Sequence, residues 1–294
     1  MKCDLCGSIN NEIIYTSKKI NQDYPYLITE SYLSPPSSIV RCANCGLIFA
    51  VSSQDPAAYF NAYIKMVDKK YIEEETGRRL SARSILNKLS SFKKSGNRLL
   101  DIGCCAGFLL DEARIMGWDS HGVELSIWAS EYAKEKFGLK IYNMPLEEAG
   151  FSDQYFDIVI MQDTIEHLQH PSRTLLEISR ILKAGGILYI NTPDIESFIS
   201  KILKAKWWGI NQFHLYYFSK RSLRELLKVS GFRVLKYDSY SRVFTLNYWT
   251  ERFKNYNPLI YKILRLVDRI WNLKKILLRV NFWDQIEVYA RKET

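Results

Sequence analysis

Between residues 98 and 195, short apolar runs alternate with stretches whose apolar positions recur every three or four residues. Residues 98–102 (RLLDI), 119–124 (DSHGVE) and 155–161 (YFDIVIM) read as strands, the first two ending on an acid. A helical pattern opens at Phe108, and residues 180–193 read as helix end, Gly185-Gly186 turn and another strand. Helix 222–230 leads to a strand over 232–238, and residues 284–291 alternate with period two as a last strand. Such alternation predicts an α/β fold with a mostly parallel sheet covered on both faces. Residues 241–282 are long for a connection and should carry structure of their own. Asn257-Pro258 opens a helical pattern predicted to run over 258–282. Lys262, Arg265, Arg269, Asn272, Lys275 and Arg279 fall on one stripe, and leucines, isoleucines, Val267 and Trp271 cover much of the rest. That helix is expected to pack on the domain or a second copy, or to lie on an anionic membrane.

Composition adds limits. The 294 residues, 47% hydrophobic and 25% charged, are enough for one large or two smaller globular domains and exclude wholesale disorder. The N-terminal MKCDLCGSIN has no apolar signal core, and no run approaches a membrane span, so a cytoplasmic protein is expected. The net charge of +9 is uneven: residues 242–294 hold eleven Lys and Arg against five Asp and Glu. Such an excess suits nucleic acid, an anionic lipid surface or an acidic substrate, and is also common on solvated faces.

Four of the six cysteines form two Cys-x2-Cys pairs, Cys3/Cys6 and Cys42/Cys45, each followed by glycine. Two such knuckles complete a closed S4 shell that suits a structural Zn2+ rather than a catalytic one. Residues 1–52 are therefore expected to be a β-rich zinc ribbon with a turn at 34–38, too small to fold without its metal. Residues 53–96 read as linker and lid helices, in which Tyr59, Tyr63 and Tyr71 are placed to cap a ligand or fill an interface.

The other two cysteines lie in LLDIGCCAGFLLDEA (99–113), a strand, a turn of small residues and a helix start. Small residues at such a turn let backbone approach a ligand closely. A carboxylate after the next strand, Glu124, 23 positions beyond Asp101, can accept ribose hydroxyls. Adjacent cysteines are poorly placed for a disulfide, so Cys104 and Cys105 read as small residues rather than redox groups.

Asp101-Ile-Gly103-Cys-Cys105-Ala-Gly107 resembles the Asp-x-Gly-x-Gly-x-Gly motif of class I S-adenosylmethionine (SAM)-dependent methyltransferases, with Cys105 in place of the middle glycine. Residues 143–148 resemble the segment along the adenine, with Met144-Pro145 where many members have Gly-Asp or Gly-Thr. Residues 162–168 (QDTIEHL) resemble the motif after strand four. The resemblance spans roughly 85–240. It implies a Rossmann-like seven-stranded sheet of order 3-2-1-4-5-7-6 over 97–294, with the last strand antiparallel between strands five and six. It further implies SAM contacts from Asp101, Gly103, Gly107, Glu124, Leu125, Leu146 and Gln162.

Methyl transfer to a hydroxyl needs alignment and a proton acceptor. His167, beside Glu166 just beyond strand four, is the first candidate, since imidazole titrates near neutrality. Similar methyltransferases often carry this Glu-His pair, and some use it in catalysis or for a divalent metal. His214, in an aromatic segment after strand five, is the second. His121 and His170 have weaker claims. The expected activity is SAM-dependent methyl transfer to a hydroxyl of a small molecule or glycan. A zinc-ribbon RNA methyltransferase is disfavoured because the Asn/Asp-Pro-Pro-aromatic motif of many amino-directed nucleic-acid enzymes is absent. A non-enzymatic binder is supported only by Cys105 and Pro145.

Overall fold

The computed structural model describes residues 2–16, 27, 29, 38–51, 56–92, 96–256, 258–271 and 275–293. Strands β1 (Asn11–Thr16), β2 (Ser38–Cys42) and β3 (Ile48–Ala50) form an antiparallel ribbon. Helices α1 (Pro56–Ile64), α2 (Lys69–Glu73) and α3 (Glu75–Ser90) follow. The central unit then runs β4 (Arg98–Ile102), α4 (Phe108–Ile115), β5 (Asp119–Val123), α5 (Ile127–Phe137), β6 (Lys140–Tyr142), β7 (Phe156–Gln162), α6 (Pro171–Ile181) and β8 (Leu182–Pro193). It continues through α7 (Phe198–Leu203), β9 (Tyr216–Tyr217), α8 (Lys220–Val229) and β10 (Phe232–Ser239). Last come β11 (Arg242–Thr245), α9 (Leu246–Tyr256), α10 (Pro258–Trp271), β12 (Leu277–Val280) and β13 (Gln285–Lys292).

The main sheet has the order β10-β13-β8-β7-β4-β5-β6, parallel except for β13, which is antiparallel to both β8 and β10. This is the expected Rossmann-like methyltransferase topology. Its central strands carry unbroken buried runs: Leu99 to Ile102 on β4, Ile158 to Met161 on β7 and Ile187 to Thr192 on β8. Unbroken rather than alternating burial follows from helices covering both faces. Local signals fix the helix ends. Ser126 caps α5 by accepting from Ala129 N–H, and Gly138 ends it in the left-handed region at φ +65°. Ser219 and Ser222 form a reciprocal capping box, so α8 starts at Lys220, two residues before the sequence reading.

Two sequence expectations change. Gly185 and Gly186 form no turn ahead of the strand: they lie within β8, where the register to β7 shifts between Phe156 and Ile158 and Gly185 takes φ +73°. The helix expected over 258–282 is described only to Trp271. Leu277, Leu278 and Arg279 belong to β12, which pairs antiparallel with β11. The apolar run fits the helical period, but a distant partner strand captures it as sheet. The insertion is thus two helices and a hairpin rather than one helix. Asn257 and Asn272 lie outside the described residues, as do the 34–37 part of the 34–38 turn and the side chains of Tyr59, Arg269, Ile270 and Trp271.

The ribbon is joined to the rest of the chain. Strand β9 completes a four-stranded sheet by pairing with β3, and Asp4 accepts from Ser172 N–H at the start of α6. The cysteine-bearing segment therefore braces both the post-β8 segment and α6.

Candidate active site

A cavity of about 530 Å³ opens at the C-terminal edge of the main sheet. This is where doubly wound sheets bind ligands. Its floor is the β4–α4 loop. Gly103 and Gly107 take φ +76° and +78°, and Cys105, at the position of the missing middle glycine, takes φ +46°. The loop thus keeps its left-handed turn despite the side chain. A Cβ on Gly103 would lie 2.6 Å from Thr164 Oγ1, and one on Gly107 2.6 Å from Leu139 Cδ1, so packing requires glycine at both. Burial raises the Cys104 and Cys105 thiols, with Asp101 adding to Cys104 and Glu124 to Cys105. Both stay protonated and are poor nucleophiles or metal ligands.

Glu124 organises the loop. Its Oε2 accepts from Cys105 N–H at 2.8 Å and its Oε1 from Ser126 N–H at 2.7 Å, while the Tyr63 hydroxyl reaches Oε2 at 3.5 Å. Asn143 Nδ2 donates to the carbonyls of Glu124 and Leu125. Of the expected cofactor contacts, Asp101, Gly103, Leu125, Leu146 and Gln162 line the cavity. Gly107 and Glu124 sit behind its wall: Gly107 packs on α5, and Tyr63 of α1 covers Glu124. Gln162 donates to the Tyr240 hydroxyl at 2.9 Å. Asp101 is 4% exposed, and no hydrogen bond or ion pair engages its carboxylate among the described residues. Burial, reinforced by Glu124, raises its pKa well above the ordinary range. A cavity with one buried carboxylate, Asp101, in its lining and a second, Glu124, just behind its wall fits a ligand that brings hydroxyls and positive charge, as SAM does.

Across the cavity, Glu166 and His167 lie on a 3-10 turn, Ile165–His167, directly after β7. His214 arrives from the segment between α7 and β9, held by Leu215 N–H donating to the Glu166 carbonyl at 2.8 Å. The His167 and His214 rings meet edge to face with centroids 4.8 Å apart. With the proton on Nδ1, His167 donates to the Phe213 carbonyl at 2.8 Å and His214 to the Gly209 carbonyl at 2.8 Å. That tautomer leaves each Nε2 as an acceptor. Glu166 Oε2 accepts from Thr192 Oγ1 at 2.9 Å, whereas Oε1 is buried with no hydrogen-bond partner among the described residues. One donor atom from each of the three residues lies within 4.8 Å of the others.

Burial lowers His167 to about 4, and burial with His167 beside it lowers His214. Both rings are therefore neutral at pH 7, where an ordinary imidazole would be about one quarter charged. Burial and nearby Asp163 raise Glu166. His121 is packed among Tyr142, Phe151, Tyr155 and Phe156, away from the cavity, whereas His170 reaches its rim.

The sequence reading missed one part of the wall. Arg78 from α3, Tyr240, Arg242 from β11, and Tyr248 and Arg252 from α9 all line the cavity. Arg78 stacks over the Tyr71 ring at 3.5 Å, and Arg252 donates to the Tyr248 hydroxyl at 2.6 Å. Arg242 pairs with Asp284 at 3.3 Å, and Asp163 accepts from Gln285 at 2.8 Å. Nothing local marks these side chains: α3 brings Arg78 from ahead of the sheet, and the insertion brings Arg242, Tyr248 and Arg252, whose one signal was the length of 241–282.

In the ribbon, Cys3 and Cys45 place their sulfurs 3.5 Å apart, Cys6 and Cys42 theirs 3.6 Å apart, and all four lie within 4.8 Å. Gly7 and Gly46, at φ +73° and +79°, close the two knuckles through N–H donation to the Cys3 and Cys42 carbonyls. Tetrahedral Zn–S bonds of about 2.3 Å demand sulfur separations of roughly 3.8 Å, close to those found.

Comparison with known proteins agrees with this geometry. Residues 74–237 match the family described as "Methyltransferase domain", and the chain belongs to that family as a class I SAM-dependent methyltransferase. An uncharacterized protein of Methanocaldococcus jannaschii is 28% identical over 182 residues, 60% of this chain and 82% of that protein. A ubiquinone biosynthesis O-methyltransferase of Cereibacter sphaeroides is 31% identical over 119 residues, 38% of this chain and 48% of its own. The chain thus spans about half the length of that curated relative. A SAM-dependent methyltransferase from Archaeoglobus fulgidus shares the fold with a TM-score of 0.53 at 21% identity, over 76% of this chain and 100% of that one.

Proposed function

We propose that the protein methylates a hydroxyl of a small molecule or glycan, with His167 as the proton acceptor. The observation that carries this reading is the pair of facing walls: the buried Asp101 carboxylate on one side of the cavity with Glu124 just behind it, a neutral histidine pair beside Glu166 on the other. The similarity to proteins named as O-methyltransferases also supports it. When bound, SAM supplies a methyl group on a sulfonium, whose charge makes it a good leaving group.

The chain's own tasks follow from that. Asp101 and the β4–α4 loop hold the cationic methionine end. Glu124 takes ribose hydroxyls in place of the long Tyr63 contact, which requires Tyr63 to move aside. Leu125 and Leu146 flank the adenine. Tyr63, Tyr71 and the aromatic side chains of β11 and α9 exclude water. His167 Nε2 accepts the acceptor's hydroxyl proton as its oxygen is methylated, and the edge-to-face His214 ring fixes His167 in place. A base with a pKa near 4 is weak towards a resting hydroxyl, but hydroxyl acidity rises steeply as the oxygen bonds to carbon.

The four-cysteine cluster is proposed to hold one structural Zn2+, bracing α6 and the segment carrying His214. The test is a screen of hydroxylated acceptors with methyl-labelled SAM, comparing wild type with His167→Ala. Label transfer that this variant abolishes, with cofactor binding intact, supports the reading. Transfer to RNA or to an amine instead would overturn it.

A further inference from the structure

Helices α9 and α10 form an antiparallel hairpin. Arg265 reaches back to Glu251 at 3.0 Å and to Asn247 at 3.4 Å, so one side of α10 lies on α9. The opposite side is apolar and exposed: Leu259, Ile263 and Leu266 are 68, 54 and 61% exposed, with Ile260 and Val267 beside them. At about 100° per residue these five positions fill a sector of roughly 120°. A protein surface rarely leaves so continuous an apolar stripe to water without a use for it.

Its surroundings are basic. Lys262 borders the stripe, and Lys254, Lys275 and Arg279 are exposed on neighbouring parts of the insertion, with Ile276, Leu278 and Trp283 exposed among them. Between residues 254 and 283 the sequence carries seven Lys and Arg against a single acid, Asp268. A second copy of the chain would bring the same basic border against itself across a two-fold contact. An anionic lipid surface meets both features, accepting the apolar stripe among its acyl chains and the lysines at its headgroups.

We infer that α10 and its flanking basic residues dock the protein on an anionic bilayer surface. No helix among the described residues is long and apolar enough to cross a membrane, so the contact is interfacial. Because Tyr248 and Arg252 on α9 line the cavity, docking brings one cavity wall close to the lipid. The inference is independent of which acceptor is methylated.

The test is co-sedimentation of the full chain with vesicles of phosphatidylcholine alone or mixed with phosphatidylglycerol. Wild type should pellet with the mixed vesicles only, and added salt should release it. The double variant Ile263→Gln/Leu266→Gln should lose more than tenfold in binding. Lys262→Glu, a change of two charges at about fivefold each, should lose roughly 25-fold. All variants should bind S-adenosylhomocysteine as wild type does, which checks the fold. Wild type left in the supernatant, equal binding to neutral vesicles, or a dimer that Ile263→Gln/Leu266→Gln dissociates would overturn the inference, the last in favour of a second copy.

Discussion

Replacing Cys105 by glycine isolates what a side chain costs in the cofactor loop. Cys105 holds φ at +46°, a conformation that costs an L residue about 1–2 kcal/mol. Glycine removes that cost but adds about 0.5–1 kcal/mol of backbone entropy. Losing the buried thiol from its cluster with Ala106, Phe108 and Ala129 costs about 1 kcal/mol more. These contributions cancel to within about 1 kcal/mol, so Cys105→Gly should melt within roughly 4 °C of wild type. Cys105→Val places a β-branched residue in the same strained region and should lose at least about 2 kcal/mol. Scanning calorimetry reads both changes, and titration with S-adenosylhomocysteine should find wild-type affinity in Cys105→Gly, since the backbone N–H holds Glu124. A glycine variant that loses more than about 3 kcal/mol, or its cofactor affinity, would show that the thiol itself supports the site and refute the reasoning.

Other expectations follow from the same geometry. His167→Ala should lower kcat by roughly 10²–10⁴-fold with S-adenosylhomocysteine binding unchanged; a structural role would instead reduce both together. His167 titrates at about 4, so activity should be flat above pH 5 and fall as pH drops through 4. Its pKa is lowered on folding from 6.5, so its stabilisation is present above 6.5 and lost as pH falls towards 4. That loss is worth up to about 3 kcal/mol and should be absent in His167→Ala melts. Asp101 is raised on folding, so its stability contribution is present in acid and lost as pH rises through its folded pKa. Asp101→Asn should therefore stabilise the ligand-free protein at pH 8 while abolishing the thermal shift given by S-adenosylhomocysteine. Chelation, or Cys42→Ser, should release one zinc per chain by elemental analysis and lower Tm by several degrees; an unchanged Tm would remove the metal from the account.

The parts legible in the sequence were those with local causes. Unbroken apolar runs in β4, β7 and β8, the glycine turn ahead of α4 and the alternating β13 all fix their elements within a few residues. The two Cys-x2-Cys knuckles likewise announce their own geometry, and the four sulfurs do converge. Features set by long-range partners were not legible. Leu277 to Val280 carries a helix-compatible pattern until β11 pairs with it. The glycine pair in β8 reads as a turn unless the shifted register to β7 is known. His167 titrates at about 4 rather than near neutrality because it is buried, with the segment bearing His214 packed on it, and no local pattern encodes that burial. Glu124 was rightly placed at the tip of β5, but its cover by Tyr63 of α1 comes from sixty-one residues upstream.

The central claim is that the cavity beside Tyr63 is a SAM site, with Asp101 in its lining and Glu124 reached when Tyr63 moves aside. Calorimetric titration of the full chain with S-adenosylhomocysteine tests it most directly, beside Asp101→Ala and Glu124→Ala variants shown to be folded by circular dichroism. The account predicts one site per chain in wild type and clear weakening in both variants. Folded wild-type protein that takes up no S-adenosylhomocysteine, or variants that bind it as tightly as wild type, would contradict it.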